Sequence, residues 1–317
     1  MTKYVLKRIV LMIFTFLIIT TICFILIKLL PLPAIKQMGR DVSLIEKRRE
    51  EMGYNKPIMV QYGLYWQHLL KGNLGLGEQM YVSLEVSDVI LQKLPYTIVV
   101  NLYSFIISVP LGLLLGIYAA LKKNTWKDHL ISTLVIIFIS VPSYVYAFLV
   151  QYLLCFKAGW FPLTIASQQE ATLFSWKMFH SMLPAVISLG FGTVAGLTRF
   201  TRAELSEVLT GDYLLLARTK GLTKNQAIVR HALRNAMVPI LPMILGEFVG
   251  IIGGSLIIES IFSIPGIGNL FVQSINLRDY NFFMADTVIY TLIGLVAGLV
   301  IDLSYGFIDP RIKMGAR

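Results

Sequence analysis

Gly211 to Pro239 reads GDYLLLARTKGLTKNQAIVRHALRNAMVP. This run is polar and strongly basic, yet it lies between two long apolar segments. A linker joining two membrane spans needs only a handful of residues, and this one carries the punctuation of helices. Asp212 is placed to cap a helix beginning at Tyr213, because its carboxylate can accept from the orphan N–H groups of a first turn. Tyr213, Leu214, Leu216 and Ala217 give that helix an apolar surface. Arg218 and Lys220 suit the negative end of its dipole. Gly221 then ends it in the left-handed conformation. Thr223 opens a second helix, with Gln226 three residues later completing a capping box. That helix carries His231 and Asn235 and leads to Pro239, where the chain enters the next apolar segment. The expected shape is a short amphipathic lever, a glycine corner and a return helix. An interfacial helix attracted to anionic lipid has the same pattern, and the residues alone leave both readings open.

Working outward, hydrophobic residues make up 56% of the 317 residues and charged residues 15%. Soluble domains carry about 25% charged residues, so the chain is expected to be an all-α integral membrane protein. A hydrocarbon core of about 30 Å calls for roughly 20 apolar residues per helix. Six stretches meet that requirement: Ile9–Leu30, Thr97–Leu121, Leu130–Phe156, Met182–Thr198, Met237–Phe262 and Met284–Ile308. The first follows a basic start but is too long for a signal-peptide core, so it reads as a retained span.

Six spans put the N-terminus, the second and fourth loops and the C-terminus on one side. That side holds sixteen Lys and Arg, against three in the short loops opposite. Basic residues mark the cytoplasmic side, so both termini and the Gly211–Pro239 run are expected there, in a multi-pass protein of the cell membrane. The net charge of +10 is then mostly a topology signal, and nucleic acid is not an expected partner. The resulting division is a first span at 1–30, an extracellular region at 31–96, a membrane core at 97–308 with a coupling loop at 199–236, and a cytoplasmic tail at 309–317. Within 31–96, Asp41 to Met52 reads as a short charged helix ended by Gly53. Tyr62, Tyr65 and Trp66 read either as interfacial anchors or as a docking surface.

Small residues four apart (Gly112 and Gly116; Gly192 and Gly196; Gly246, Gly250 and Gly254; Gly294 and Gly298) let helices approach closely in lipid. Pro110, Pro142 and Pro242 are expected to bend helices. Glu247 and Glu259 are the ionisable candidates for a transport pathway, with Glu247 equally readable as a carboxyl bonded between helices. Two cysteines within apolar segments and four scattered histidines give no metal site, and no H-E-x-x-H or G-x-S-x-G occurs. No Gly-Lys dipeptide exists to build a phosphate-cradling loop, so the chain is neither an enzyme nor the motor of a pump.

DYLLLARTKGLTKNQAIVRHALRNAMVP resembles the cytoplasmic loop of ABC importer permeases of the dipeptide/oligopeptide/nickel branch. Their E-A-A-x-x-x-G pattern is followed by a distant proline, and Ala217, Gly221 and Pro239 match it. Leu215 and Leu216 replace its first two residues. KLPYTIVVNLYSFIISVPLGLLLGIYAAL, ESIFSIPGIGNLFVQSINLRDY and DLSYGFIDPRIK resemble the same family, whereas Pro31-Leu32-Pro33 departs from its usual turn. The resemblance implies six transmembrane helices in the type I (MetI-like) fold, with Gly211 to Leu222 as the coupling helix. Leu214, Leu216 and Ala217 would seat in a groove of an ATPase, Gly221 would set the corner, and Arg218 and Lys220 would meet acids. It also implies a second homologous permease, two cytoplasmic ATPase subunits that bind ATP and Mg, and an extracellular substrate-binding protein. This chain would hold no cofactor. Its cargo would be dipeptides or oligopeptides, with nickel or a metal chelate as the alternative. An ion-coupled secondary transporter is the rival class, and it is disfavoured because most acids fall near span ends.

Overall fold

The computed structural model describes residues 2–31, 42–167 and 169–308. The expected tail at 309–317, together with Leu32, Pro33 and Asp41, lies outside them. The regular secondary structure among the described residues is helical: α1 (Thr2–Leu29), α2 (Val42–Glu51), α3 (Ile58–Leu70), α4 (Val86–Leu121), α5 (Trp126–Ser140), α6 (Ser143–Val150), α7 (Trp176–Val208), α8 (Asp212–Thr219), α9 (Lys224–Ala227), α10 (Leu233–Gly250), α11 (Leu256–Ile261), α12 (Ile267–Leu277) and α13 (Tyr280–Ile308). A wider π segment, Gln151–Lys157, continues α6, and another, Ile228–Ala232, joins α9 to α10.

Among the described residues, five helices are long and apolar enough to cross a membrane. The expected third span, Leu130–Phe156, is instead two helical pieces bent by 104°. The cause is local. Pro142 has no N–H to donate and excludes the helical region for the residue before it, and Val141 accordingly sits extended at φ −85° and ψ 128°. Counted as one broken span, this pair brings the total to the expected six. The expected fifth span is corrected: α10 stops at Gly250, the chain turns through Gly253 and Gly254, and Ser255 caps the separate α11 by accepting from the Ile258 N–H. Pro239 and Pro242 lie inside α10 and do not mark its entry. Exposed Leu6, Val10, Leu11, Ile13 and Phe14 give α1 a face suited to lipid.

The chain divides into two compact units. One is built on Val99–Ile251. Here α5, α6 and α10 pack on α7, and Val109, Leu197 and Ile240 form a buried cluster. A Cβ on Gly116 would stand 2.5 Å from Thr201 Cβ and 2.8 Å from the Thr198 carbonyl, so α4 approaches α7 closely only because this residue is glycine. Gly112 is similarly pressed on Leu197. The other expected pairs differ: Gly196, Gly250, Gly294 and Gly298 have no such neighbour within 4 Å.

The second unit comprises Leu6–Ile98 and Ile252–Val296. Its α3 lies along α1. Tyr62 and Tyr65 pack with Phe24, Ile27, Tyr280 and Met284, and the Tyr62 and Thr21 hydroxyls are 2.6 Å apart. The expected anchors or docking aromatics are therefore core-forming, with Trp66 edge-on to Phe16. Asp279 holds the irregular 75–85 stretch in place by accepting consecutive N–H groups of Glu78, Gln79 and Met80 at 2.8, 2.7 and 3.1 Å. Burial pushes its carboxyl above the usual range, and the three amides oppose that push. Arg49 donates to Glu78 across the same stretch.

Gly116→Leu is expected to destabilise the first unit by about 1–3 kcal/mol through overpacking, whereas Gly196→Ala, placed in open space, should leave it unchanged. Thermal unfolding in detergent, followed by circular dichroism, measures both.

Candidate coupling surface

The chain leaves α7 through a turn at Leu209 and Thr210 and enters α8 one residue earlier than expected. Gly211 is the N-cap and makes no side-chain cap bond. Asp212 is consequently the first helical residue, where its charge favours the helix N-terminus, and it is not the cap. Tyr213 follows in the first turn. Gly221 adopts φ +91° just beyond the helix end, as expected of a glycine corner. Thr223 accepts from the Gln226 N–H while Gln226 Oε1 accepts from the Thr223 N–H, so the capping box is complete.

The two sides of α8 divide differently from the expectation. Leu214 and Ala217, three apart and therefore on one face, are buried against Ala120, Leu205, Ala227, Ala232 and Ala236, with Leu222 packed at the edge. They seat α8 on its own chain and are not free for a partner's groove. Leu215 and Leu216 turn outward, 62% and 56% exposed, and Val229 is also exposed at 63%. Arg218, Lys220, Lys224, Arg230 and Arg234 of the same run are all exposed. His231 and Asn235 are exposed as well. The helical period of α8 separates a 214/217 face from Leu215 and Leu216, and packing on other helices decides which one is buried.

An outward apolar strip in a basic run, mounted rigidly between two membrane helices, offers a contact surface for an acidic protein and contains no chemistry of its own. Comparison with known proteins places the whole chain in a family. Residues 112–314 match the family described as binding-protein-dependent transport system inner membrane component, and residues 1–101 match its N-terminal companion. The chain belongs to this family. It is similar to a dipeptide transport system permease protein of Lactococcus lactis, with 35% identity over 99% of this chain and 100% of the relative. A Bacillus subtilis protein of the same description is 34% identical, over 99% of both chains. A glutathione transport system permease protein of Salmonella paratyphi A is 33% identical, over 99% of both. The chain is thus a multi-pass membrane permease subunit of an ABC importer, a transport component and not an enzyme, and the family implies no cofactor for it.

The two pathway candidates of this permease have different surroundings. Glu247 is exposed on α10 and accepts from the Thr193 hydroxyl of α7 at 3.2 Å. Glu259 is fully buried, accepting from the Thr97 hydroxyl at 2.9 Å and the Asn269 N–H at 3.1 Å. Thr97 in turn accepts from the Ile267 N–H at 2.9 Å. Gly254, Gly266 and Gly268 crowd this carboxylate so closely that a Cβ on any of them would strike it. Glu259 therefore fastens the α11–α12 turn and has no exposed surface in this structure. Sequence reading missed this, although the glycines of IPGIG beside a lone acid were its trace.

Any side chain at Gly221 must adopt a backbone conformation that L residues avoid. Gly221→Val is expected to cost about 1–3 kcal/mol locally. The measurement is limited proteolysis within 209–223, which should accelerate more than global thermal unfolding shifts.

Proposed function

We propose that this permease forms half of a translocation pathway for dipeptides or oligopeptides, driven through α8 by cytoplasmic ATPase subunits. The full-length similarity to permeases named for dipeptides and glutathione, all peptide cargo, supports the substrate class. The observation that carries the coupling reading is the outward Leu215–Leu216 strip followed by Arg218 and Lys220 on a helix that is itself bonded into the chain. A lever must be stiff on one side and adherent on the other. Leu214, Ala217 and Leu222 supply the first property and Leu215 and Leu216 the second, with Gly211, Asp212, Tyr213 and Gly221 fixing the ends. Thr223, through its capping box, starts the return helix that passes His231 and Asn235 and continues through Pro239.

The remaining assembly follows from this role. A second homologous permease completes the pathway, two ATPase subunits bind ATP and Mg, and an extracellular binding protein delivers the cargo. With the bent pair counted as one crossing, the excess of basic residues places both termini and the 199–236 loop in the cytoplasm, 31–96 outside, 97–308 as the membrane core and 309–317 as a cytoplasmic tail. Glu247, exposed on α10, is the remaining acidic candidate for the pathway.

In an assembled complex, cysteine at Leu216 or Thr219 is expected to cross-link to an ATPase subunit, whereas cysteine at buried Leu214 should not. Absence of the first two cross-links in an active complex would sink the coupling assignment. In proteoliposomes, peptides held by the partner binding protein should stimulate ATP hydrolysis. Stimulation by a nickel chelate and by no peptide would replace the peptide reading with the metal one.

A further inference from the structure

We propose that Asp128 and Arg202 are positioning residues for transport, forming an ionic clasp that carries the movement of α8 into α5. The proposal rests on the coupling role of α8 given above. Asp128 is the third residue of α5 and is fully buried. Its carboxylate accepts from both Nε and Nη2 of Arg202 on α7, the latter at 2.8 Å. It also accepts from the Asn124 N–H at 2.9 Å and lies 3.4 Å from the Ser132 hydroxyl. The acid thus closes the start of α5 and grips α7 with the same group.

The position of Arg202 gives the clasp its meaning. One turn further along α7 is Leu205, fully buried in the cluster that holds Leu214 and Ala217 of α8. Displacement of α8 acts on Leu205, and the same rigid turn of α7 carries Arg202. The far end of α5 is the 104° break at Val141 and Pro142. A contiguous path therefore runs from the cytoplasmic lever through α7 into the bent pair.

The chemistry suits this task. Apolar side chains in lipid gain little by choosing one register over a neighbouring one, so a purely apolar contact between α5 and α7 would let them slip. A guanidinium fork on a carboxylate fixes distance and orientation together, and a lysine would hold only a charge at a distance. Asp128 is buried while Arg202 keeps 31% of its side chain exposed; a half-buried pair of this kind is a weak source of net stability, and register is the better reason for it.

The test uses the complete transporter in proteoliposomes, with its binding protein and a peptide that the binding protein holds, and reads peptide uptake per ATP hydrolysed. Asp128→Asn keeps the shape and removes the charge, and Arg202→Lys keeps the charge and removes the fork. In both, uptake per ATP is expected to fall roughly tenfold in assembled complex, with the Leu216→Cys cross-link to the ATPase retained. If Asp128→Asn fails to assemble, Arg202→Lys takes the measurement. Uptake per ATP equal to that of the parent overturns the proposal, as does a loss of uptake and hydrolysis in the same proportion, which would mark the pair as merely structural. An unchanged ratio with the cross-link intact fails this pair alone, whereas absence of the cross-link in the parent fails the coupling reading beneath it.

Discussion

Hydrocarbon offers no hydrogen bonds, so every backbone amide and carbonyl at membrane depth has to be satisfied within the chain. Helices do this by construction, and the informative places are where helices stop. In this permease three turns beside helix starts are closed by buried acids. Asp279 takes three consecutive amides of the 75–85 stretch. Glu259 takes an amide of the α11–α12 turn and a hydroxyl that itself serves another amide. Asp128 takes the amide before α5. Each carboxylate substitutes for the water that a soluble protein would leave in such a turn, and each fixes the direction in which the next helix departs.

The same constraint explains why acids in apolar surroundings were poor guides to a pathway. An ionisable group at depth is expensive and usually functional, which made Glu259 a reasonable candidate. Its complete burial among glycines ties it to the turn that it bonds. Glu247 is different because it remains accessible while bonded across two helices. Accessibility, not depth, separates an acid available to cargo from one used up by the fold, and it is set by neighbours far away in the sequence.

Much of the architecture was legible because long apolar runs have one solution in lipid. The glycine corner at 221 and the capping box at Thr223 were legible too, since both are local backbone problems with few chemical answers. What was hidden depends on packing. Nothing within α8 says which of its two leucine-bearing faces turns inward; Leu205, Ala227 and Ala232 decide that from other helices. The spacing of Gly112 and Gly116 is the same as that of Gly294 and Gly298, yet only the first pair is filled by the chain's own atoms. The bend at Pro142 was foreseeable as a kink, but its full angle requires the extended Val141.

These distinctions also bear on how an inert polypeptide can pass force. Apolar contacts between membrane helices are numerous and individually weak, so they define a neighbourhood more firmly than a register. Where movement must arrive at a particular helix, one directional polar contact in a low-dielectric setting outweighs many dispersive ones in specifying geometry. In the proposed coupling, the α8 lever is bound by the first kind of contact, through Leu214, Ala217 and Leu205, which pack it against its own chain. The α5–α7 junction is bound by the second, through Asp128 and Arg202. A soft seat would waste the stroke of the lever, and a slipping junction would misdirect it. The arrangement of buried leucine, alanine and a single ionic fork at one end of α7 meets both demands.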